Sequence, residues 1–188
     1  MMHSVHQIDA HGAWNASNGG VTLIGMMPTH LIVLAVVVHQ DRYLVVEERD
    51  GSFYLPAGKV EPGENLVAAV VRETIEEAGV LVGLSGILGF DHEAIGGRAR
   101  LRFVFVGWPA TTQAPKSSAD EHSRGALWAT REEIGAMRLR HPEVLRWIDL
   151  QRSGRPLLPC VAYETHGLNA RFEYDGVTAA TGLRRART

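Results

Sequence analysis

Hydrophobic residues follow two rhythms along the chain. Leu31–Val38 (LIVLAVVV) is an unbroken run rich in β-branched residues, which predicts a strand buried on both faces. Gln40-Asp41 predicts a turn and Arg42–Arg49 (RYLVVEER) a second strand running back, with Asp50-Gly51 turning the chain again. Tyr54–Lys59 (YLPAGK) reads as a short strand passing into a Gly/Pro loop. The rhythm then becomes helical. From about Asn65 to Ala78, the residues Leu66, Val67, Val70, Val71, Ile75 and Ala78 recur at the spacing of one broad apolar face. Gly63 allows the tight turn into this helix, and Glu64 is placed to cap its first N–H groups. Gly79 stands where a helix-ending glycine is expected.

Beyond the helix the period returns to two. Val80–Asp91 predicts a strand punctuated by glycines, and Ala94–Gly97 a loop. Arg98–Gly107 alternates strictly, with Arg98, Arg100 and Arg102 on one face and Leu101, Phe103 and Phe105 on the other. Pro109–Ser123 is a polar loop carrying Lys116, Asp120 and Glu121, and Gly125–Ala129 predicts a short strand. Thr130-Arg131-Glu132-Glu133 is a capping-box sequence opening a short helix. Leu139-Arg140-His141-Pro142 leads into a last helix running to about Arg152, with Pro142 at its first position and Gly154 closing it.

Composition narrows what this pattern can do. The 188 residues suit one domain with extensions. A net charge of −2 and a pI near 6.5 leave no electrostatic footprint for nucleic acid or an anionic membrane. The lone Cys160 excludes an intrachain disulfide and fits a reducing, cytoplasmic location. Residues 1–28 contain no Lys or Arg, and the apolar patch Val21–Met27 is short and interrupted, so neither a secretory signal nor a membrane span is expected there. The scattered His3, His6 and His11 read as part of a polar tail. The expected organisation is a disordered N-terminal extension (1–28), one domain (29–163) and a C-terminal tail (164–188).

The chemistry concentrates on the first helix. Glu73, Glu76 and Glu77 share its polar face at i, i+3 and i+4. Like charges at that spacing cost a helix roughly 0.2–0.5 kcal/mol per pair, and within the helix only Arg72 relieves them. Carboxylates gathered on one face suit a hard divalent cation. Gly58, Glu64, Arg72, Glu73, Glu76, Glu77 and Gly79 stand at the spacing of the Nudix box, so the chain resembles the Nudix hydrolase family over about Thr29–Tyr163. The departure is Thr74, where the family usually has an aliphatic residue; it bears on packing rather than on the acidic face.

The resemblance implies an α+β Nudix fold, a mixed β-sheet in an α/β/α sandwich. It implies hydrolysis of a phosphoanhydride by water with Mg²⁺, or alternatively Mn²⁺. Glu73, Glu76, Glu77 and the Gly58 carbonyl would be metal ligands, with Glu73 the acceptor of the water proton. Glu121 would be a further catalytic carboxylate from the late loop, with Asp120 in reserve. Lys59 and Arg102 would face the phosphates, and Arg140, His141 and Glu143 the base. Glu64, Arg72 and Gly79 would be structural.

Segments outside the box are similar to two branches, NudJ-type phosphatases and phosphatases of oxidised nucleoside diphosphates. The proline and tyrosine markers of ADP-ribose and dinucleoside-polyphosphate hydrolases are missing: no proline lies between Pro62 and Pro109, and the first tyrosine after the box is Tyr163. The expectation is conversion of a nucleoside di- or triphosphate, oxidised purines included, to the monophosphate. Two alternatives stay open: a non-nucleotide diphosphate such as a thiamin-precursor pyrophosphate, and a nucleotide sensor without turnover. A small-molecule nucleotide partner is expected, with no nucleic acid and no membrane. Homodimerisation is left open.

Overall fold

A computed structural model of the chain describes residues 29–95 and 98–160. The two terminal segments, with His3, His6 and His11, fall outside the described residues, and so does Tyr163.

The elements run β1 (Thr29–His39), β2 (Arg42–Glu47), β3 (Phe53–Tyr54), β4 (Ala57–Lys59), α1 (Leu66–Ala78), β5 (Val82–Ile95), β6 (Arg98–Pro109), β7 (Gly125–Ala129), α2 (Arg131–Gly135) and α3 (Glu143–Arg152). The sheet order is β3-β2-β1-β6-β5, with β4 paired to β1 and β7 to β2. All pairings are antiparallel except β1 with β6, which is parallel, so the sheet is mixed as expected. The β1–β2 turn puts Gln40 (φ 48°) and Asp41 (φ 61°) in the left-handed region, the geometry whose twist suits two antiparallel strands.

Strand β1 is the axis of the sandwich because its alternate side chains enter two cores. Val33, Ala35 and Val37 pack with Ala69, Val70, Val71 and Ala78 of α1. Leu34 and Val36 face the other way, onto Ile134 of α2 and Val144, Trp147 and Ile148 of α3. These five strand residues are at most 1% exposed. Each valine or leucine so buried contributes roughly 1.5–3 kcal/mol. This two-sided burial explains why the run is apolar without a break.

The structure corrects the sequence reading of α1 at two places. Asn65, not Glu64, caps the helix, its Oδ1 accepting from the Ala68 amide at 2.8 Å. The inward face is also rotated: Thr74 is fully buried, whereas Ile75 is 43% exposed. The row Val70, Thr74, Ala78 points at the sheet, and Thr74 Oγ1 donates to the Val70 carbonyl at 2.7 Å. That internal bond removes most of the cost of a buried hydroxyl.

Elsewhere the differences are of extent. Strand β5 starts at Val82 and continues to Ile95, where a loop from Ala94 was expected, with register shifts at Leu84/Gly86 and Ile87/Gly89 where the glycines fall. The Thr130–Glu133 capping box forms in both directions. α3 starts at Glu143, one residue later than expected, with Pro142 at the N-cap position, and Gly154 follows the helix in the left-handed conformation. No helix among the described residues is long and apolar enough to cross a membrane.

Candidate active site

The loop between β4 and α1 is built around one arginine. Arg72 Nε and Nη2 donate to the two oxygens of Glu64, each at 2.9 Å, and Nη2 also donates to the Lys59 carbonyl at 2.9 Å. Nη1 donates to Glu73 Oε1 and Glu76 Oε2, again at 2.9 Å. A single planar fork thus ties the loop to the helix and holds two of the three glutamates. The bond to Glu64 is the largest influence raising the Arg72 pKa, and the same pair holds Glu64 below the usual carboxylate range.

Gly58 leaves the space that Glu73 fills. A Cβ at residue 58 would stand 1.9 Å from Glu73 Cδ. Burial raises the Glu73 carboxyl above its usual range in spite of Arg72. Glu77 has no arginine; its Oε2 accepts from the Ala57 amide at 2.9 Å. Burial pushes Glu77 up to about 7 against that hydrogen bond, with the charges of Glu73 and Glu48 adding to the rise.

Among the described residues no three such side chains close into a ready metal-binding cluster, since Arg72 and the Ala57 amide occupy the glutamates. The donor set nonetheless fits a hard dication. It consists of half-buried carboxylates on one helix face, two of them made reluctant to ionise chiefly by burial, over a notch only a glycine leaves open.

A cleft of about 330 Å³ has a lining that includes Tyr54, Asp91, Arg102, Arg140, Glu143 and Arg146. At its floor Arg102, 8% exposed, donates through Nε and Nη2 to Asp91 at 3.0 and 2.6 Å, and through Nη2 to Glu143 Oε2 at 2.7 Å. Arg102 Nη1 and the Tyr54 hydroxyl both donate to Glu143 Oε1. Burial disfavours the Arg102 charge, but Glu143 and Asp91 outweigh it and raise its pKa. Burial likewise opposes ionisation of Glu143, yet Arg102 and Tyr54 hold it below its usual range. Arg140 joins the cleft to Glu48 after β2: its guanidinium lies 5.1 Å from the centre of the Tyr54 ring, and its Nη1 donates to Glu48 Oε1 at 2.7 Å. Glu48 and Arg140 are both within electrostatic reach of Glu77.

The structure therefore brings Glu64, Arg72, Glu73 and Glu76 together around the loop with Gly58 and the Lys59 carbonyl, and gathers Arg102, Arg140 and Glu143 in the cleft. The Lys59 side chain is exposed on β4. Glu121 is 84% exposed, 3.5 Å from His122 Nε2 and outside the glutamate group. Asp120 is committed to Lys116. The sequence reading missed Tyr54 and Asp91. Asp91 carried a signal, because antiparallel pairing of its strand with Arg98–Gly107 sets it opposite Arg102. Tyr54 carried none.

A family model described as the NUDIX domain matches residues 28–148. A mouse protein named 8-oxo-dGDP phosphatase NUDT18 is 36% identical over 145 residues, covering 69% of this chain and 44% of its own, and its human counterpart is 35% identical over the same share. The chain thus spans less than half the length of these relatives. A NUDIX hydrolase structure from Nitrosomonas europaea superposes with a TM-score of 0.61 at 31% identity, over 69% of this chain and 93% of that one.

Proposed function

The chain belongs to the NUDIX domain family, and on that premise we propose that it hydrolyses a phosphoanhydride bond of a nucleoside di- or triphosphate, oxidised purine nucleotides included, to the monophosphate. One observation supports the reading: the glutamate face with its Gly58 notch is coupled, through Glu48 and Arg140, to a cleft lined by arginines and carboxylates. Phosphates and a polar base edge require that pairing of surfaces. The names of the mouse and human relatives support the oxidised purine.

Glu73, Glu76, Glu77 and the Gly58 carbonyl would hold a divalent cation, with Mg²⁺ the first candidate and Mn²⁺ the second. Such an ion supplies charge neutralisation at the phosphate oxygens and acidifies water. The residues of the chain do the rest. Glu73 takes the proton of the attacking water, and the raised affinity that burial gives it for protons suits that task. The exposed Glu121 is the second candidate for proton transfer. Lys59 stabilises phosphate charge, and Arg140 takes the second place expected of Arg102, whose guanidinium is committed to Asp91 and Glu143. Glu143, fixed by Arg102 and Tyr54, accepts from the base edge, and Arg102 anchors that wall of the cleft. The new bond joins water oxygen to phosphorus, and the anhydride P–O bond breaks. A diphosphate then releases inorganic phosphate, and a triphosphate releases pyrophosphate.

Steady-state turnover with Mg²⁺ tests the reading. Normal and 8-oxo-purine nucleotides are compared with ADP-ribose, diadenosine polyphosphates and a thiamin-precursor pyrophosphate. The nucleoside di- or triphosphates should have the highest kcat/KM. A tenfold advantage for any other class, about 1.4 kcal/mol in transition-state binding, would overturn it.

A further inference from the structure

We propose that Lys116 and Ser123 are positioning residues for Glu76 and Glu77, acting through the last turn of α1. The inference rests on the hydrolase reading above, since it concerns how that reading's metal-facing carboxylates are held.

A helix leaves its last four carbonyls without the usual partner further along the helix. In α1 these belong to Ile75, Glu76, Glu77 and Ala78. The Gly79 amide satisfies the first, donating to Ile75 O at 2.8 Å. The strap between β6 and β7 satisfies the other three. Lys116 Nζ donates to Glu76 O at 2.5 Å, Ser123 Oγ to Glu77 O at 2.6 Å, and the Lys116 amide to Ala78 O at 2.9 Å. Two of these carbonyls are the backbone of the glutamates themselves.

The strap is built to hold this geometry. Ser123 is fully buried. Lys116 is 15% exposed and is gripped by both Asp120 oxygens at 2.8 and 2.7 Å. Asp120 Oδ1 also accepts from the His122 and Ser123 amides at 2.9 and 3.1 Å, which closes the strap into one unit. The left-handed turn at Gly79 brings the helix end against it; a Cβ there would lie 3.2 Å from the Lys116 Cβ. α1 has no basic residue in its last turn and two glutamates in it, an unfavourable arrangement at the negative end of a helix dipole. Lys116 supplies the missing cation from outside the helix. The strap thus fixes the rotation of the turn that aims Glu76 and Glu77, and a displacement of about 1 Å at such a site costs on the order of a hundredfold in rate.

Calorimetric titration of the metal-free protein with Mn²⁺ tests this without any substrate. The proteins compared are wild type, Lys116→Met, Ser123→Ala and Glu76→Gln, with melting temperature as the control for folding. Lys116→Met should bind Mn²⁺ at least fivefold more weakly, and Ser123→Ala at least threefold. Mn²⁺ affinity within twofold of wild type for both, alongside a weakened Glu76→Gln, overturns the positioning role and leaves the hydrolase reading intact. Unchanged affinity in Glu76→Gln overturns the metal face and this inference with it. Should Lys116→Met fail to fold, Ser123→Ala, which deletes a single oxygen, decides by its own criterion.

Discussion

At Gly58 the absent side chain is what the site needs. The residue is not in the left-handed region, so no turn geometry demands a glycine there. The demand comes from the Glu73 carboxylate, which lies where a Cβ would be. Alanine would therefore leave the backbone unstrained while displacing that carboxylate from Arg72 and its neighbours. Gly58→Ala should lower kcat about a hundredfold and shift the melting temperature by only a few degrees, which kinetics and thermal unfolding on one preparation would check. Thr74 shows the opposite case, a residue that departs from the family pattern and yet satisfies its own hydroxyl inside the core.

Among the elements, the meeting of β5, β6 and α3 carries a charge network beside its apolar core of Val104, Val144, Trp147 and Ile148. Arg102 from β6 binds Asp91 across the hairpin and Glu143 at the start of α3. Glu143→Gln leaves a buried guanidinium short of one charge and should cost about 3 kcal/mol, or about 10 °C in melting temperature. The pH dependence follows from the depressed Glu143 pKa. Its stabilisation is present above the unfolded value, about 4.3, and is lost as pH falls through the lower folded value. The acid limb of stability below about pH 4 should accordingly be shallower in Glu143→Gln. How much of this was legible depended on range. The Thr130–Glu133 capping box was readable because all its partners lie within four residues. The glutamate face of α1 was readable from helical period alone. The rotated inner face was not, because Thr74 is apolar in effect only through its bond to Val70. The contact between Arg102 and Glu143 depends on how α3 docks, which no local pattern encodes.

For the whole molecule, Glu77 sets a second pH dependence of opposite sign. Its folded pKa is raised, by burial first, from the usual 4.5 to about 7. The stability linked to it is complete below the unfolded value and is lost as pH rises toward 7, by at most about 3 kcal/mol. The metal-free protein should thus melt higher at pH 5.5 than at pH 8. Mg²⁺ should restore stability at pH 8, where the carboxylate is ionised, by about 2.7 kcal/mol at a hundred times its Kd. A calorimetric pH series should find the metal-free loss in wild type and a smaller one in Glu77→Gln, where the raised Glu73 carboxyl remains. The parallel pairing of β1 with β6 has a consequence for synthesis. Residues 29–37 pair with 99–107, so on a ribosome the central strand emerges about seventy residues before the partner for one of its edges. Its other edge can take β2 and β4 early and α1 can cover one face, but the second face waits for α2 and α3, complete at Arg152. The nascent chain therefore carries its central strand with one edge open until β6 emerges, so slower elongation between α1 and β6 should lower the yield of folded protein, which expression at two translation rates would measure.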